Sequence, residues 1–324
     1  MTAGGGAELR RETDGIAEIV LDRRDALNAL NTAVLVELAA HFTTAGADPS
    51  IRVVVVSAAG ERAFCVGADL KERAAMSDAQ IMAQRPIFRA AFAALVAMPQ
   101  PTIAAVHGFA LGGGCELALS CDVIVADETA VFGLPETTVG LVPGCGGTQL
   151  LARRVGHGKA ADLIFSGRRV GADEAIRIGL ADRLVAAGSA RASALGLAQQ
   201  IAANSPVAVR AAKQALTNGA GLPLVAALDV EDAAWRTAAG SADRREGIAA
   251  FAEKRRPAWP SLTQSAREGS LREGSPREGL RRDGTPGEGS LREGSLREKS
   301  PGEEPKQASP QVDSRQQEGS GVRV

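Results

Sequence analysis

The sequence contains no tyrosine and only three histidines in 324 residues, and aromatic residues make up 3% of it. A phenol is therefore excluded as a proton donor, and His41, His107 and His157 stand without metal-ligand spacing, so no metal site is expected. His107 reads as a satisfied structural histidine at the end of a strand. The four cysteines (Cys65, Cys115, Cys121 and Cys145) form no CxxC pair. Reduced, packed thiols are the expectation, which fits a cytoplasmic protein. Excess charge is also missing: 37 Lys and Arg balance 38 Asp and Glu, so nothing points to a nucleic-acid or anionic-membrane partner. No apolar run reaches the roughly eighteen residues that span a bilayer. The opening "MTAGGGAELRRETDG" has no apolar core and carries acids, unlike a targeting segment.

What the chain does have is 45% hydrophobic residues, enough for a large core. The alternation in "GIAEIVLD" and the branched run "IRVVVVSA" predict strands, and "NTAVLVELAAHFTTAGAD" between them has helical periodicity. A helix is expected near Ser77 to Met98, then a strand ending at Val106, a helix from about Gly114, and short strands in "DVIVA" and "AVFGL". Strands alternating with helices predict an α/β fold with a parallel, helix-covered sheet. From about residue 190 the sequence turns Ala-rich and helical, with Pro206 and Pro223 placed as helix starters. This divides the chain into a core over 1–189, a helical region over 190–260 and a tail over 261–324. The tail repeats Arg, Glu, Gly and Ser with a variable residue. It has too few apolar side chains to offset the entropy of ordering, so it reads as a solvated segment or as a docking segment for an unidentified partner.

Three glycine-rich turns carry the chemistry: "AFCVGADLKER", "GFALGGGCEL" and "VPGCGGTQLL". None has the lysine of a phosphate-binding loop or the spacing of a dinucleotide fingerprint. They remain turns able to aim backbone N–H groups at one point, since the first N–H groups of a helix lack partners. Two acids, Glu116 in the first turn of its helix and Glu136 in "VFGLPETTVGL", sit among apolar residues. Desolvation can raise the pKa of one carboxyl while the other stays ionised, the arrangement acid–base chemistry uses.

In order along the chain, "LDRRDALNAL", "AFCVGADLKE", "PTIAAVHGFALGGGCELALSCD", "FGLPETTVGLVPGCGGTQLLARRVG" and "AFAEKRRP" resemble the enoyl-CoA hydratase/isomerase (crotonase) superfamily, from about Gly15 to Pro257. The branch with methylglutaconyl-CoA hydratase and its RNA-binding homologues looks most similar. The resemblance implies a spiral of β-β-α repeats, C-terminal helices that form trimers or dimers of trimers, and hydration of a 2-enoyl-CoA, with isomerisation as the alternative. It implies an oxyanion hole from the N–H groups of Val66 and Gly113, Glu116 activating water and Glu136 delivering a proton to C2. N–H groups near Gly144 to Gly147 would orient Glu116 or its water. It places coenzyme A along Asp25, Ala26, Leu27, Ala63, Ala68, Asp69 and Leu70, closed by Phe251 and Lys254, in many relatives from a neighbouring subunit. Acyl-CoA is then the substrate, and no separate cofactor is implied. The RNA-binding surface of that branch would fall on residues 31–45, which hold no Lys or Arg to neutralise phosphates.

Overall fold

The computed structural model describes residues 6–262; the repeat tail lies outside the described residues. Strand β1 (Ala7–Arg11) pairs antiparallel with β2 (Ile16–Leu21), which runs parallel to β3 (Val53–Ala58). Strands β5 (Thr102–Val106), β7 (Val123–Asp127) and β10 (Arg183–Val185) continue this sheet, all parallel, in the order β1-β2-β3-β5-β7-β10. A second sheet is made of three-residue strands: β4 (Ala63–Cys65), β6 (Phe109–Leu111) and β8 (Val131–Gly133) run parallel, and β9 (Arg169–Gly171) closes it antiparallel. The chain visits the sheets alternately, β3 then β4, β5 then β6, β7 then β8. Each pair is followed by helix, which gives the expected α/β spiral of β-β-α turns.

The large sheet is apolar on both faces. In β3, Val54 and Val56 pack with Leu35, Leu38 and Phe42 of α1 (Thr32–Ala47) and Phe92 of α3 (Asp78–Val96). Val53 and Val55 point the other way, with Ile103 and Val125, onto Ala194, Leu197 and Ala198 of α8 (Ala190–Ala202). The two-residue period of a strand forces this division, and each aliphatic side chain so buried contributes roughly 1.5–3 kcal/mol. Helix α8 thus completes the sheet's second face, so the helical composition that begins at residue 190 is continuous with the core.

Local chemistry sets the helix ends. The Asn31 side chain accepts from Val34 N–H at 3.0 Å and starts α1. Ser77 and Gln80 form a capping box on α3, satisfying two N–H groups that would otherwise lack partners. The predicted helix starters serve as drawn: Pro206 is the first residue of α9 (Pro206–Gly219), and Pro223 immediately precedes α10 (Leu224–Gly240). A last helix, α11, spans Ala242–Ala252. Among the described residues no helix is long and apolar enough to cross a membrane.

Candidate active site

Because β4, β6 and β8 run parallel, with a register shift between Ala63 and Cys65 of β4, the segments that follow them leave the small sheet on one side. The C-terminal edge of parallel strands is where α/β folds place ligands. Here it gathers the turn 66–69, the glycines 112–114 with helix α4 (Gly113–Leu119), and the 3-10 helix Pro135–Val139 that carries Glu136. A cavity of about 480 Å³ lies among them, lined by Gly113, Glu116, Glu136, Arg73, Arg85 and the apolar Val139 and Leu141, among others.

Glycine is what lets these turns meet. A Cβ on Gly114 would lie 1.9 Å from Cys65 O, so only glycine allows α4 to start against the end of β4. Gly67 adopts φ +88, and a Cβ there would lie 2.8 Å from Leu111 O and 2.9 Å from Gly113 N.

All seven residues of α4 are buried, Glu116 included. Its Oε1 accepts from Cys145 N–H at 2.6 Å and Gly147 N–H at 2.8 Å. The second donor belongs to the first residue of α5 (Gly147–Val155), whose N-terminus favours a negative charge. Burial pushes the Glu116 carboxyl above its ordinary value, while the Gly147 and Cys145 N–H groups and the Arg85 cation pull it down. Glu136 has weaker support, with only its own backbone N–H and the Arg73 cation pulling its carboxyl down. Its Oε2 is buried without a hydrogen-bond partner among the described residues. Burial first, with the Glu116 charge as a lesser cause, pushes this carboxyl up to about 7. The two acids therefore differ in kind: one is held in place by donors to its oxygen, the other is poised to carry a proton near neutrality.

Val66 does not fit the expectation. Its N–H donates to Leu27 O at 3.3 Å, with Leu27 in the left-handed region at φ 51. The neighbouring amide of Ala68 is the one left over. Leu30 N–H donates to Gly67 O and Asp69 N–H donates to Leu30 O, so the intervening Ala68 N–H faces the opposite way. Among the described residues no acceptor meets it. Ala68 N lies 3.8 Å from where a Gly113 Cβ would stand. The Gly113 N–H, in the first turn of α4, is likewise without an acceptor.

A second cavity of about 630 Å³ shares Val66, Ala68 and Leu70 with the first and is lined also by Asp25, Ala26, Asp69, Arg23 and Lys71. Asp69 caps α2 (Leu70–Ala74), accepting from Lys71 and Glu72 N–H groups, and pairs with Arg23 at 3.0 Å. Leu27 and Ala63 are not brought to this groove. Both line a separate hollow with Arg62 and Gly60, and Ala63 is buried in β4 at 2% exposure. Phe251 and Lys254 are also elsewhere within one chain. Phe251, 87% exposed, flanks an apolar groove with Trp235, Ile248 and Trp259, and Lys254 follows the end of α11. His107 Nε2 is buried without a partner among the described residues, so the histidine is not the satisfied one expected. No cluster of three or more His, Cys, Asp or Glu side chains that could hold a metal ion occurs among the described residues.

The family model for enoyl-CoA hydratase/isomerase matches residues 11–262. The chain belongs to the enoyl-CoA hydratase/isomerase family. It is 39% identical over 241 residues to the short-chain-enoyl-CoA hydratase of Clostridium acetobutylicum, covering 74% of this chain and 92% of that one. It is 41% identical over 264 residues to the human enoyl-CoA hydratase domain-containing protein 2, mitochondrial, covering 79% and 90%. The crystal structure of the enoyl-CoA hydratase from Bacillus anthracis superposes with a TM-score of 0.77 at 41% identity, covering 79% of this chain and 99% of that one.

Sequence reasoning reached both acids and the donors near residues 144–147, but missed Ala68 N–H and the cavity-facing Arg73 and Arg85. Arg73 stacks over the Phe88 ring at 5.0 Å to its centroid, and Arg85 donates to Gly144 O. Neither carries a local sequence signal, because each depends on where α2 and α3 pass relative to a loop some sixty residues later.

Proposed function

We propose that this family member catalyses reversible addition of water across the C2=C3 bond of a 2-enoyl-CoA thioester. The observation that carries the reading is the convergence, on one cavity, of two acceptor-free amides with two buried carboxyls, one held by backbone N–H donors and one with an unpartnered oxygen. Ala68 N–H and Gly113 N–H would receive the thioester oxygen, polarising the double bond so that C3 accepts a nucleophile. Ionised Glu116 takes one proton from water as its oxygen bonds to C3, and protonated Glu136 gives its proton to C2. Charge gathers on the thioester oxygen between the two steps. A preorganised donor there contributes about 3 kcal/mol to the transition state, and each acid–base residue about 10²- to 10⁴-fold in rate. The addition balances with water, thioester and the two carboxyls.

Coenzyme A would lie in the groove of Asp25, Ala26, Ala68, Asp69 and Leu70, whose small residues admit a thin pantetheine arm. The exposed apolar side chains of α9 to α11, among them Leu216, Leu224, Val225, Trp235 and Phe251, support a homo-oligomer, with Phe251 and Lys254 reaching a neighbour's groove as the resemblance implies. Four free cysteines fit a reducing compartment such as the cytoplasm.

Hydration of crotonyl-CoA, longer 2-enoyl-CoAs and 3-methylglutaconyl-CoA, followed by loss of enoyl thioester absorbance, tests the reading. Glu116→Gln and Glu136→Gln should each lose at least about 10²-fold in turnover while still binding acyl-CoA. Turnover at the parent rate in either variant overturns the assignment of that residue.

A further inference from the structure

One of the two N–H groups that hold Glu116, that of Cys145, belongs to a segment with few ties of its own, just before the other, that of Gly147 at the start of α5. Between Leu141, whose N–H donates to Glu136 O, and Gly146, whose carbonyl receives Gln149 and Leu150 N–H groups, residues 142–145 make no backbone–backbone hydrogen bond among the described residues. Two side chains tether them. Glu116 Oε1 receives Cys145 N–H, and Arg85 donates to Gly144 O with a second nitrogen 3.8 Å from Cys145 Sγ. The Arg85 guanidinium lies flat against the segment: a Cβ on Gly144 would stand 3.1 Å from Arg85 Nη1 and 3.3 Å from its Cζ.

Arg85 is itself well founded. Its neighbour Gln84, 3% exposed, donates to Thr32 Oγ1 at 2.8 Å and Glu72 Oε2 at 2.9 Å, fixing this turn of α3 to α1 and α2. Among the described residues Arg85 has no carboxylate in an ion pair, unlike the surface arginines Arg10, Arg24, Arg168 and Arg236. The carboxylate whose charge it offsets is that of Glu116.

We propose that Arg85 is a positioning residue for Glu116: from α3 it clamps the 142–145 segment, so that Cys145 N–H and Gly147 N–H meet the carboxylate in one fixed geometry. This rests on the proposed role of Glu116 as the base that activates water. The charged and titratable groups around that carboxylate are Arg85 from α3, Glu136 from the 3-10 helix, the Cys115 thiol of α4 and the Cys145 thiol of the segment itself, with Arg73 of α2 facing Glu136 and Cys145. Removing the Arg85 cation leaves burial less opposed, so the Glu116 carboxyl moves up.

The test compares Arg85→Met, Arg85→Lys, Gly144→Ala and Glu116→Gln with the parent, using crotonyl-CoA over a range of pH and hydrogen exchange of the segment 141–151. Arg85→Met should lower kcat by about 10- to 100-fold, the usual cost of a displaced catalytic group, with KM nearly unchanged. Its low-pH limb should move to higher pH, and the segment should exchange faster. Arg85→Lys, which keeps the charge without the flat fork, should return the limb but only part of kcat. Gly144→Ala, which pushes the guanidinium away, should mimic Arg85→Met more mildly. An exposed contact of this kind adds little to global stability, so all three should melt within about 3 °C of the parent. Parent kcat, pH limb and exchange in Arg85→Met, or an effect on KM alone, overturns the clamp while Glu116→Gln remains inactive. Full turnover in Glu116→Gln instead overturns the role given to Glu116, and the clamp with it.

Discussion

Glu136→Gln should make the protein more stable above neutral pH while it removes activity. The Glu136 carboxyl is raised from an ordinary 4.5 to about 7, chiefly by burial, and its Oε2 has no partner among the described residues. Between those values the folded state holds the proton more tightly than the unfolded state, so raising the pH costs stability across this window. Above it the full penalty stands. At about 1.36 kcal/mol for each tenfold change in proton affinity, the penalty is somewhat more than about 3 kcal/mol. Part of the carboxyl faces the open cavity, and screening there cuts it to about 1–2 kcal/mol. Glutamine has the same shape and no charge. Thermal unfolding of parent and variant at pH 4.5 and pH 8.5 should therefore show no gain at the lower value and a rise of about 3–6 °C at the higher. An equal difference at both pH values would refute the reasoning, because a packing effect of the amide does not depend on pH.

The same proton gives a kinetic signature: hydration of crotonyl-CoA should decline as pH rises through about 7, where Glu136 loses its proton. Dehydration of the 3-hydroxyacyl-CoA should decline over the same range, since the reverse reaction also needs one proton on the carboxyl pair and the net addition of water neither consumes nor releases one. Gly67→Ala, which sets a Cβ 2.9 Å from Gly113 N at a positive φ, should part the two oxyanion donors and lower kcat by about 10²- to 10³-fold; crotonyl-CoA kinetics measures it. Gly114→Ala, with a Cβ 1.9 Å from Cys65 O, should cost several kcal/mol of stability and yield little soluble protein, scored by denaturant unfolding. Phe251→Glu should lower the solution mass measured by light scattering, because it puts a charge on the most exposed of the large apolar side chains among the described residues.

Much of this fold is legible where a segment carries its own signal. Helix α1 lies where periodicity and Asn31 place it, α3 follows Ser77, and α9 begins at Pro206. The small sheet is not legible in the same way. Strands β4, β6 and β9 are three residues long, too short for any period to show, and they exist because neighbouring turns of the spiral offer them partners. The site inherits this division. Glu116 and Glu136 stand out as charges in apolar surroundings, which a sequence displays. The choice between Val66 and Ala68 as donor depends on which amide Leu27 O occupies, and Leu27 reaches that position through a left-handed turn nearly forty residues earlier.

The short strands also explain how a site assembled from turns can be exact. A catalytic amide displaced by an ångström can lose about 10²-fold in rate, so its scaffold must not bend. Three parallel strands, each ending directly in a turn that lines the candidate site, leave almost no chain between the sheet and the proposed oxyanion donors. Gly114 against Cys65 O and Gly67 against Gly113 N close the remaining gap by backbone contact alone. The one functional stretch that lacks this support is the loop 142–145, reached only after the 3-10 helix of Glu136 has ended. A long side chain from α3 is what a spiral built this way has within reach to fix it, and Arg85 stands there.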